Sequence, residues 1–495
     1  MAEEVFPPGQ YPIVVVGSGP GALQFGYCLR ALGVEPAILS RDDAPGGMFR
    51  RFPVFERLIS WTKPEAPFPK QTREYEWFDH NSLLPDEPEH RALVPELMDR
   101  TFDVPARHEM EAAIVAFAER TGLRVRYGCE WTATRRDDDG FVLETSVGEY
   151  RCRVVVFAFG MTEPWRPDVP GLDAVPHYVD TRRPGEYRDR SVFIVGKRNS
   201  GFEIAAGLLP WARQIFLASP RPVETAMLAR AAVRTRYLQP YDESVRGGLG
   251  SYVMDAAMGR VERRDGGYTV IADGTTWPGR FELEVDDVVA ATGFKAPLRD
   301  LPELGLATVA DGRLPAQTPF WESVSVPGIF FAGNVTQGAA GLARRGTASF
   351  STAVNGFRYN ARVLARHLAE RYFGVPAARP ELGRDEVVPF LLHELAHGPE
   401  LWIQKGYLTR AVTIDPAAGI RDEGVLPLEH FVDSAGPDAI AATVEYDDRA
   451  VIHPVLYVRH GGRLEEHHLS PHPLHRFAEN GHRGEVEAAL RPLLG

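Results

Sequence analysis

The chain of 495 residues is long enough for two or three domains, and its hydrophobic fraction of 44% can form several packed cores. Its 55 basic and 67 acidic residues give a formal net charge of -12 without a long lysine or arginine run, so nucleic acid is not an expected partner. No apolar stretch approaches the roughly 20 residues of a membrane span, so we expect no membrane partner either.

The amino-terminal run MAEEVFPPGQY is acidic and proline-rich, and it lacks the basic and apolar regions of a secretory signal. The cysteines Cys28, Cys129 and Cys152 are far apart in sequence and form no C-x-x-C pair. These features predict a cytoplasmic protein in a reducing compartment, without a dithiol redox centre.

The first predicted unit is the segment YPIVVVGSGPGALQFGYCLRALGVEPAILS, which has the pattern of a strand, a glycine turn, an amphipathic helix and a second strand. Its G-x-G-x-x-A motif is half of a Rossmann fingerprint. Gly17 permits the tight turn, and Gly19 lets the main chain approach a pyrophosphate at the helix amino terminus. Ala22 takes the place of the third glycine. The segment therefore predicts dinucleotide binding.

The end of the second predicted strand is where an acidic residue usually binds the ribose hydroxyl groups. Ser40 occupies that position, and its hydroxyl can form one hydrogen bond without the charge of a carboxylate. Asp42 and Asp43 follow it and are alternatives for the same role. We expect the ribose contact to come from this group.

The next run, APGGMF, has two glycines that would let the backbone pass close to the flavin of a bound FAD. We therefore assign Gly46, Gly47 and Met48 to the cofactor site. A type II turn after Pro45 is the alternative interpretation.

The stretch from Phe52 to Leu84 follows this turn and is predicted to run along the flavin. Lys63 and Asn81 are the candidate catalytic residues, because a lysine or an amide near the flavin can stabilise negative charge on the reduced ring or hold an oxygen species. The aromatic residues of the stretch fit either a wall around the flavin or an ordinary core.

The second fingerprint is VGKRNSGFEIA, residues 195–205, which lies between an apolar strand pattern and a helical one. Gly196 and Gly201 hold the outer positions of G-x-G-x-x-G, but Arg198 stands at the middle glycine. Ser200 and Glu203 match the capping box S-x-x-E, which predicts the start of the helix. The turn is therefore expected to be intact, with altered phosphate contacts.

Two outcomes are open for Arg198. In the first, its guanidinium clamps phosphate oxygens from the side, Lys197 adds charge, and Asn199 and Ser200 belong to the cofactor site at the helix start. In the second, the side chain fills the site and weakens nicotinamide binding. Arg221, after the next predicted strand, is placed to meet the 2'-phosphate of NADPH. NADPH is the expected cofactor of this unit, with NADH and a site that has lost function as alternatives.

Further along, Arg234, Arg236 and Tyr241 are candidates for contact with phosphate or an anionic substrate, or belong to a surface helix and loop.

Two later runs, DDVVAATGF and VPGIFFAGNVTQG, complete this series of motifs. In this order the motifs resemble those of the FAD-dependent, NADPH-using monooxygenases, a class that includes the flavin-containing monooxygenases and the amino-acid N-hydroxylases. The resemblance implies that Thr292 and Gly293 belong to the cofactor domains at the hinge by which the chain returns to the FAD domain. It also implies that Gly333 and Asn334 reach the ribityl chain and the flavin.

A closer resemblance extends over nearly the whole chain, in the runs FERLISWTKP, DHNSLL, VGKRNSGFE, NGFRYNARVL and VIHPVLYV. They are similar to a eukaryotic family of FAD-dependent oxidoreductases linked to endoplasmic-reticulum-associated degradation. The chain lacks the F-x-G-x-x-x-H run of flavin-containing monooxygenases and has PGLDAVPHYVD there instead, so the subclass stays open.

The run HELAH, from His393 to His397, matches the zinc-hydrolase motif H-E-x-x-H. No third ligand can be identified from the sequence. The run lies within PFLLHELAHGPELW, which is predicted to be an amphipathic helix with packed leucines, so we expect no metal.

The predicted fold is α/β, with two Rossmann-like dinucleotide-binding domains, one for FAD and one nested within it for NADPH, and a C-terminal α+β appendage. The predicted boundaries are 1–165 and 322–378 for the FAD domain, 166–321 for the nested domain and 379–495 for the appendage. The appendage is expected to cover the active site or to form a subunit contact in a homo-oligomer.

The resemblance implies a monooxygenase in which NADPH reduces FAD, molecular oxygen adds at the flavin C4a position, and the resulting hydroperoxide hydroxylates a small metabolite, with an amine nitrogen as the favoured target. A flavin oxidase or dehydrogenase of a small amine, acting without nicotinamide, is one alternative. A flavin-bearing interaction protein is the other.

Overall fold

The computed structural model describes residues 5–224, 233, 237–238, 250–342, 350–447, 449, 451–478 and 480–495. The chain divides into two compact units, and both contain helices and sheets as the sequence predicts. The first comprises Met1–Arg50, Ser60–Met161 and Ala296–Gly495, and the second comprises Arg51–Ile59 and Thr162–Lys295. The first unit resumes before the predicted boundary at residue 322, and it includes the residues that we expected to form an appendage.

The first unit begins with a β-α-β arrangement and continues into a β-meander. Its elements are β1 (Gly9–Val16), α1 (Pro20–Ala31), β2 (Ala37–Leu39), α2 (Leu93–Leu97), α3 (Arg107–Arg120), β3 (Trp131–Asp137), β4 (Gly140–Thr145) and β5 (Gly148–Phe157). Short 3-10 helices cover Gly47–Arg50, Glu74–Trp77 and Pro88–His90. The strand order is β2-β1-β5-β4-β3, with β1 parallel to β2 and β5. The buried runs IVVV of β1 and VVVF of β5 are typical of parallel strands covered on both faces.

The second unit is a twisted sheet whose parallel strands carry the second fingerprint. Its elements are β6 (Glu163–Pro164), β7 (Ser191–Val195), α4 (Asn199–Leu208), β8 (Gln214–Ser219), β9 (Ser251–Arg264), β10 (Gly267–Gly274), β11 (Arg280–Val285), β12 (Asp287–Ala290) and β13 (Phe294–Lys295), with 3-10 helices at Tyr178–Asp180 and Pro184–Tyr187. The order is β11-β10-β9-β8-β7-β12, and β7 is parallel to both neighbours. Because the chain changes direction across the sheet at β7, the carboxyl end of β7 is where open α/β sheets bind ligands.

The chain then returns to the first unit and completes its parallel sheet. The elements here are β14 (Thr308–Val309), β15 (Leu314–Pro315), β16 (Ile329–Phe331) and α5 (Val354–Phe373), with 3-10 helices at Gly333–Leu342 and Phe350–Thr352. Strand β16 pairs in parallel with the carboxyl end of β5, and α5 packs against α1. Residues distant in sequence thereby meet beside α1.

The carboxyl-terminal part of the first unit, which we call the C-terminal layer, is an antiparallel sheet with helices on both faces. Its elements are α6 (Val387–His397), α7 (Pro399–Ile403), β17 (Leu408–Asp415), β18 (Gly419–Pro427), α8 (Leu428–Asp433), β19 (Asp438–Tyr446), β20 (Ile452–His460), β21 (Arg463–His468) and α9 (Asn480–Leu494). The order is β18-β17-β19-β20-β21. Alternate residues of β19 enter two different cores, as the period of a strand requires. Within the described ranges, no helix combines the length and hydropathy of a bilayer-spanning segment.

His177, in the second unit, is fully buried, and its Nε2 lies 3.1 Å from the carbonyl oxygen of Gly293. A carbonyl only accepts hydrogen bonds, so Nε2 carries the hydrogen of a neutral ring. Burial, with a contribution from the charge of Arg166, lowers the pKa of His177 to about 4. The ordinary value is near 6.5, so between these two pH values the unfolded chain binds a proton that the folded chain does not.

We expect the free energy of unfolding to fall by about 3 kcal/mol as the pH drops from 6.5 to 4 because of His177 alone. The substitution His177→Gln keeps an N–H donor for Gly293 and removes the titration, so its stability should depend less steeply on pH in this window. Urea unfolding at a series of pH values measures the difference. The exposed His393→Gln is the control and should keep the wild-type slope; equal slopes for His177→Gln and the wild type would contradict the assignment.

Candidate functional site

The amino terminus of α1 lies where turns from distant parts of the chain come close to it. Gly17 has φ +129°, and a Cβ there would lie 2.5 Å from the carbonyl oxygen of Ala158. Gly47 has φ +57°, and a Cβ on it would lie 2.8 Å from the Cα of Gly19. The predicted glycine turn and the predicted APGGMF turn therefore meet at the start of α1.

A third approach involves Gly21, in the first turn of α1, and Gly333, directly after β16. A Cβ on Gly21 would lie 2.6 Å from the nitrogen of Gly333 and would collide with its Cα. Gly333 itself has φ +78°, a conformation that favours glycine. The closing motif of the sequence is thus packed against the first fingerprint, main chain against main chain.

The same helix terminus offers hydrogen-bond donors to an anion. Gly19 is the N-cap and has no side chain to cap the helix, Pro20 has no N–H, and the first turn contains no acidic residue. The first intrahelical bond runs from the N–H of Leu23 to the carbonyl of Gly19, 3.1 Å, so the N–H groups of Gly21 and Ala22 precede it. Together with the positive end of the helix dipole, this geometry fits the pyrophosphate of FAD.

Ser40 lies directly after β2, as predicted, and its side chain is buried. Its hydroxyl is 2.7 Å from that of Ser18 and accepts a hydrogen bond of 3.1 Å from the N–H of Asp42. The exposed Asp43 forms an ion pair with Arg50, which lowers the pKa of that carboxyl. The hydroxyl of Ser40 thus orders the turn after β2, and a ribose contact at this turn stays a prediction.

The two candidate catalytic residues lie on neighbouring segments, since the N–H of Lys63 donates to the carbonyl of Phe78, 2.6 Å. The buried Asn81 donates from Nδ2 to the carbonyl of Ser60, 2.9 Å, and to the hydroxyl of Thr62, 2.9 Å. The Lys63 side chain is exposed, with Nζ 5.5 Å from the centre of the Phe78 ring. Asn81 therefore holds the loop around residue 61, and the catalytic roles of Lys63 and Asn81 stay predictions.

The second fingerprint keeps its turn. Gly196 has φ +125°, and a Cβ there would collide with the carbonyl oxygen of Ala291, while a Cβ on Gly201 would collide with the carbonyl oxygen of Gly196. This is the close packing of strand and helix that the outer glycines predict. The turn at the carboxyl end of β7 is therefore intact without the middle glycine.

The predicted capping box at this helix is wrong. The helix begins at Asn199, its N-cap is Arg198, and no side chain caps it. Ser200 lies one position inside the helix, and the Glu203 carboxylate instead accepts hydrogen bonds from the N–H of Phe55, 2.9 Å, and the hydroxyl of Tyr178, 2.8 Å. These long-range partners use the carboxylate that the capping box would need.

The cations near this turn differ in exposure. Lys197 is buried and forms an ion pair with Asp255, so our expectation that it adds charge for phosphate is wrong. Arg198 is exposed, and so is Arg221, two residues after β8. Only the latter two are available to a nucleotide phosphate among these cations. Arg234, Arg236 and Tyr241 lie outside the described residues.

The remaining predicted cofactor residues lie in three places. The Thr292 hydroxyl donates to the carbonyl of Trp165, and the carbonyl of Gly293 accepts the N–H of Trp165 at 3.0 Å, so both residues order the connection from β12 to β13. Asn334 follows Gly333 in the 3-10 helix, where its carbonyl accepts a bond from Gln337, 2.7 Å. Met48 lies in the 3-10 helix after Gly47.

The HELAH run lies on α6, and its glutamate pairs with an arginine. Arg73 donates to both Glu394 oxygens, at 2.8 and 2.9 Å, and to Glu400 at 2.6 Å. His393 and His397 are exposed, with ring centres 5.0 Å apart, and in the described part of the chain no third residue joins them in a metal-binding group. The predicted packing of leucines is confirmed for Leu391, Leu392 and Leu395.

Two buried polar residues that order this site were missed from the sequence. Gln24, on α1, pairs its amide with the main chain of Leu84, donating at 3.0 Å and accepting at 2.7 Å. The guanidinium of Arg358, fully buried on α5, donates to the carbonyls of Asp79 and Ser82, both at 2.8 Å. The sequence signal that could have revealed both residues is a glutamine or an arginine at a helix position where the periodicity predicts an apolar residue.

With this geometry established, the chain is compared with known proteins. A family profile described as pyridine nucleotide-disulphide oxidoreductase matches residues 14–333. The FAD-dependent oxidoreductase domain-containing protein 2 of Danio rerio is 28% identical over 415 residues, covering 73% of this chain and 59% of that protein. The chain therefore spans about three fifths of that relative's length.

Solved structures share the fold. A flavin-containing monooxygenase from Stenotrophomonas maltophilia superposes with a TM-score of 0.54 at 20% identity, covering 73% of this chain and 98% of that one. An ornithine N-hydroxylase from Kutzneria gives a TM-score of 0.54 at 17% identity, with 73% and 100% covered. The predicted resemblance and the α/β fold of Rossmann-type flavoproteins are both confirmed, and the comparisons support an oxidoreductase.

We expect Gly21→Ala to lower the affinity for FAD by about 10- to 100-fold, because the overlap with Gly333 costs about 1–3 kcal/mol and shifts α1. Titration of the apoprotein with FAD, followed by flavin fluorescence, measures the change. The control is Gly484→Ala, an exposed glycine inside α9 with no atom within 4 Å of the added Cβ, which should leave FAD affinity unchanged. Wild-type affinity in Gly21→Ala would mean that this contact does not shape the site.

Proposed function

We propose that this chain, which belongs to the pyridine nucleotide-disulphide oxidoreductase family, is an FAD-dependent, NADPH-using monooxygenase. Its substrate is a small metabolite, which it hydroxylates at an amine nitrogen. In the overall reaction one atom of O2 enters the substrate as a hydroxyl group and the other leaves as water, while NADPH supplies two electrons. The observation that carries the proposal is the meeting of glycine turns at the uncapped amino terminus of α1.

The residues that would hold FAD are those of this terminus. The N–H groups of Gly21 and Ala22 would donate to the pyrophosphate, and the glycines at 17, 47 and 333 let the surrounding main chain pack closely around this helix terminus. Bound FAD supplies the transfer of electrons from a reduced nicotinamide to oxygen. The protein's part is to orient the reactants and exclude water around them.

The second unit would hold NADPH at the carboxyl end of β7. The exposed Arg198 and Arg221 flank this edge, where they would contact the pyrophosphate and the 2'-phosphate respectively. Lys197 and Asp255 neutralise each other beneath the turn, so the carboxylate does not repel the nucleotide.

The cysteines favour oxygen over a disulphide as the electron acceptor. Cys28, Cys129 and Cys152 are all free, and Cys129 and Cys152 are buried. Burial raises the pKa of Cys28 to about 11 and that of Cys152 to about 12, which keeps both as unreactive thiols near neutral pH. Disulphide reduction requires an accessible thiolate to attack the substrate, and this chain does not supply one.

A flavin oxidase or dehydrogenase of a small amine, acting without nicotinamide, is the second candidate. It is favoured by the replacement of the middle fingerprint glycine by Arg198. The two candidates differ in whether a nicotinamide reduces the flavin.

Anaerobic titration of the flavin-loaded protein with NADPH, and separately with NADH, tests the proposal. We expect NADPH to bleach the visible flavin band faster than NADH, and readmitted oxygen to restore it. Candidate amines are then tested for hydroxylated product by mass spectrometry. If neither nucleotide bleaches the flavin but an amine does, the oxidase is correct and the monooxygenase proposal fails.

We expect Arg198→Gly, which restores G-x-G-x-x-G, to weaken NADPH binding by about 10- to 100-fold, because a hydrogen bond to a charged group contributes about 1.5–3 kcal/mol. The exposure of the Arg198 side chain supports this expectation. The concentration of NADPH needed for half-maximal flavin reduction measures the effect. Arg263→Gly, at an exposed arginine of β9, is the control; tighter NADPH binding by Arg198→Gly would show that the side chain obstructs the site.

A further inference from the structure

We propose that Gln404, in the C-terminal layer, is a positioning residue for the FAD site, acting through Asn360 and Thr336 on Gly333. We call these four residues the Gln404 relay. The proposal rests on the proposed FAD site, and it assigns to the C-terminal layer the task of completing that site.

The relay is continuous. Nε2 of Gln404 donates to Oδ1 of Asn360 at 2.8 Å, and Nδ2 of Asn360 donates to the hydroxyl of Thr336 at 3.1 Å. The hydroxyl of Thr336 donates to the carbonyl of Gly333 at 2.6 Å. Hydrogen bonds therefore lead from the end of α7, across α5, to the glycine that packs against Gly21.

The direction of every bond follows from one donor. The N–H of Phe350 donates to Oε1 of Gln404 at 2.8 Å, and a main-chain N–H cannot accept. The Gln404 amide must then turn Nε2 toward Asn360, whose own Nδ2 must face Thr336. The Thr336 hydroxyl, already accepting from Asn360, is left to donate to Gly333. A change at Gln404 consequently removes the donor to Asn360 Oδ1 and loosens the hold on the remaining groups of the relay.

Burial makes these bonds difficult to replace with water. Gln404 is 0% exposed, and Asn360 and Thr336 are each 1% exposed. Ser351, also 0% exposed, accepts from Nδ2 of Asn360 at 2.8 Å and from Nε2 of Gln404 at 3.1 Å. An unsatisfied polar group in such a place is costly, so loss of one member favours a shift of the others.

A second set of contacts holds the end of α7, which bears Gln404, in place. Glu394 and Glu400, which flank the start of α7, hold Arg73 just before the 3-10 helix Glu74–Trp77. Trp77 donates from its indole N–H to the carbonyl of His397 at 3.2 Å. The C-terminal layer is thus attached to the FAD-binding part on both sides of α7, which fixes the helix end that bears Gln404.

The test is a double-mutant cycle on FAD affinity in the full-length apoprotein. Gln404→Met removes the first donor, and Thr336→Val removes the last. We expect each to raise the Kd for FAD about tenfold, and the double variant to raise it by about as much as either alone, because both break one relay. The visible circular dichroism of bound FAD should also change in Gln404→Met, since the flavin environment shifts.

Gln404→Glu is the second variant in case Gln404→Met does not fold, because it keeps the acceptor for Phe350 and replaces the amide donor. The same rise in Kd is expected. Tyr457→Phe is the control: its hydroxyl lies on β20 of the same layer, where Tyr457 is 0% exposed, and it donates to the Glu445 carboxylate at 2.6 Å, outside the relay. It should lower the unfolding midpoint without changing the Kd for FAD.

Wild-type FAD affinity in both Gln404 variants, or effects of Gln404→Met and Thr336→Val that simply multiply, would overturn the relay while leaving the proposed function intact. An equal rise in Kd in Tyr457→Phe would also overturn it, because general destabilisation would then explain the effect. A wild-type apoprotein that does not take up FAD would overturn the proposed function and the relay together.

Discussion

The contact between Gly21 and Gly333 is the constraint on which the arrangement around the amino terminus of α1 depends. A side chain at Gly21 would overlap the main chain of Gly333, so α1, β16 and the following 3-10 helix have one compatible arrangement. The same close approach leaves the first N–H groups of α1 without a capping side chain. Close packing and an uncapped helix terminus therefore depend on the same glycines, and a substitution there should affect both.

Several buried charged groups in the described part of the chain are paired with an opposite charge. Lys197 pairs with Asp255, and the glutamates Glu394 and Glu400 of the C-terminal layer pair with the half-buried Arg73. Removing one partner of such a pair leaves an uncompensated charge, which costs more than the pair contributes. Lys197 and the two glutamates consequently have structural roles, and the cations left for a nucleotide phosphate are exposed ones such as Arg198.

The motifs that were predicted correctly are those determined by a few neighbouring residues. The turn at Gly17 and the turn at Gly196 both have the positive φ that a glycine fingerprint predicts. The capping box failed because Glu203 found partners on Phe55 and Tyr178, which no local pattern reveals. In such cases a long-range hydrogen bond in a buried site is stronger than the exposed local one that it replaces.

By itself the sequence determined the order of strands and glycine turns, the absence of a C-x-x-C dithiol motif, and the resemblance to flavin-dependent oxidoreductases. These features depend on local backbone geometry and hydrophobic period, which adjacent residues encode. Only the tertiary structure decided that the C-terminal layer belongs to the same compact unit as the first glycine turn, and that Gln404 is linked to Gly333 by hydrogen bonds. Those contacts join residues far apart in the chain. Their partners are selected by burial and by the need to satisfy each polar group, which are properties of the folded molecule.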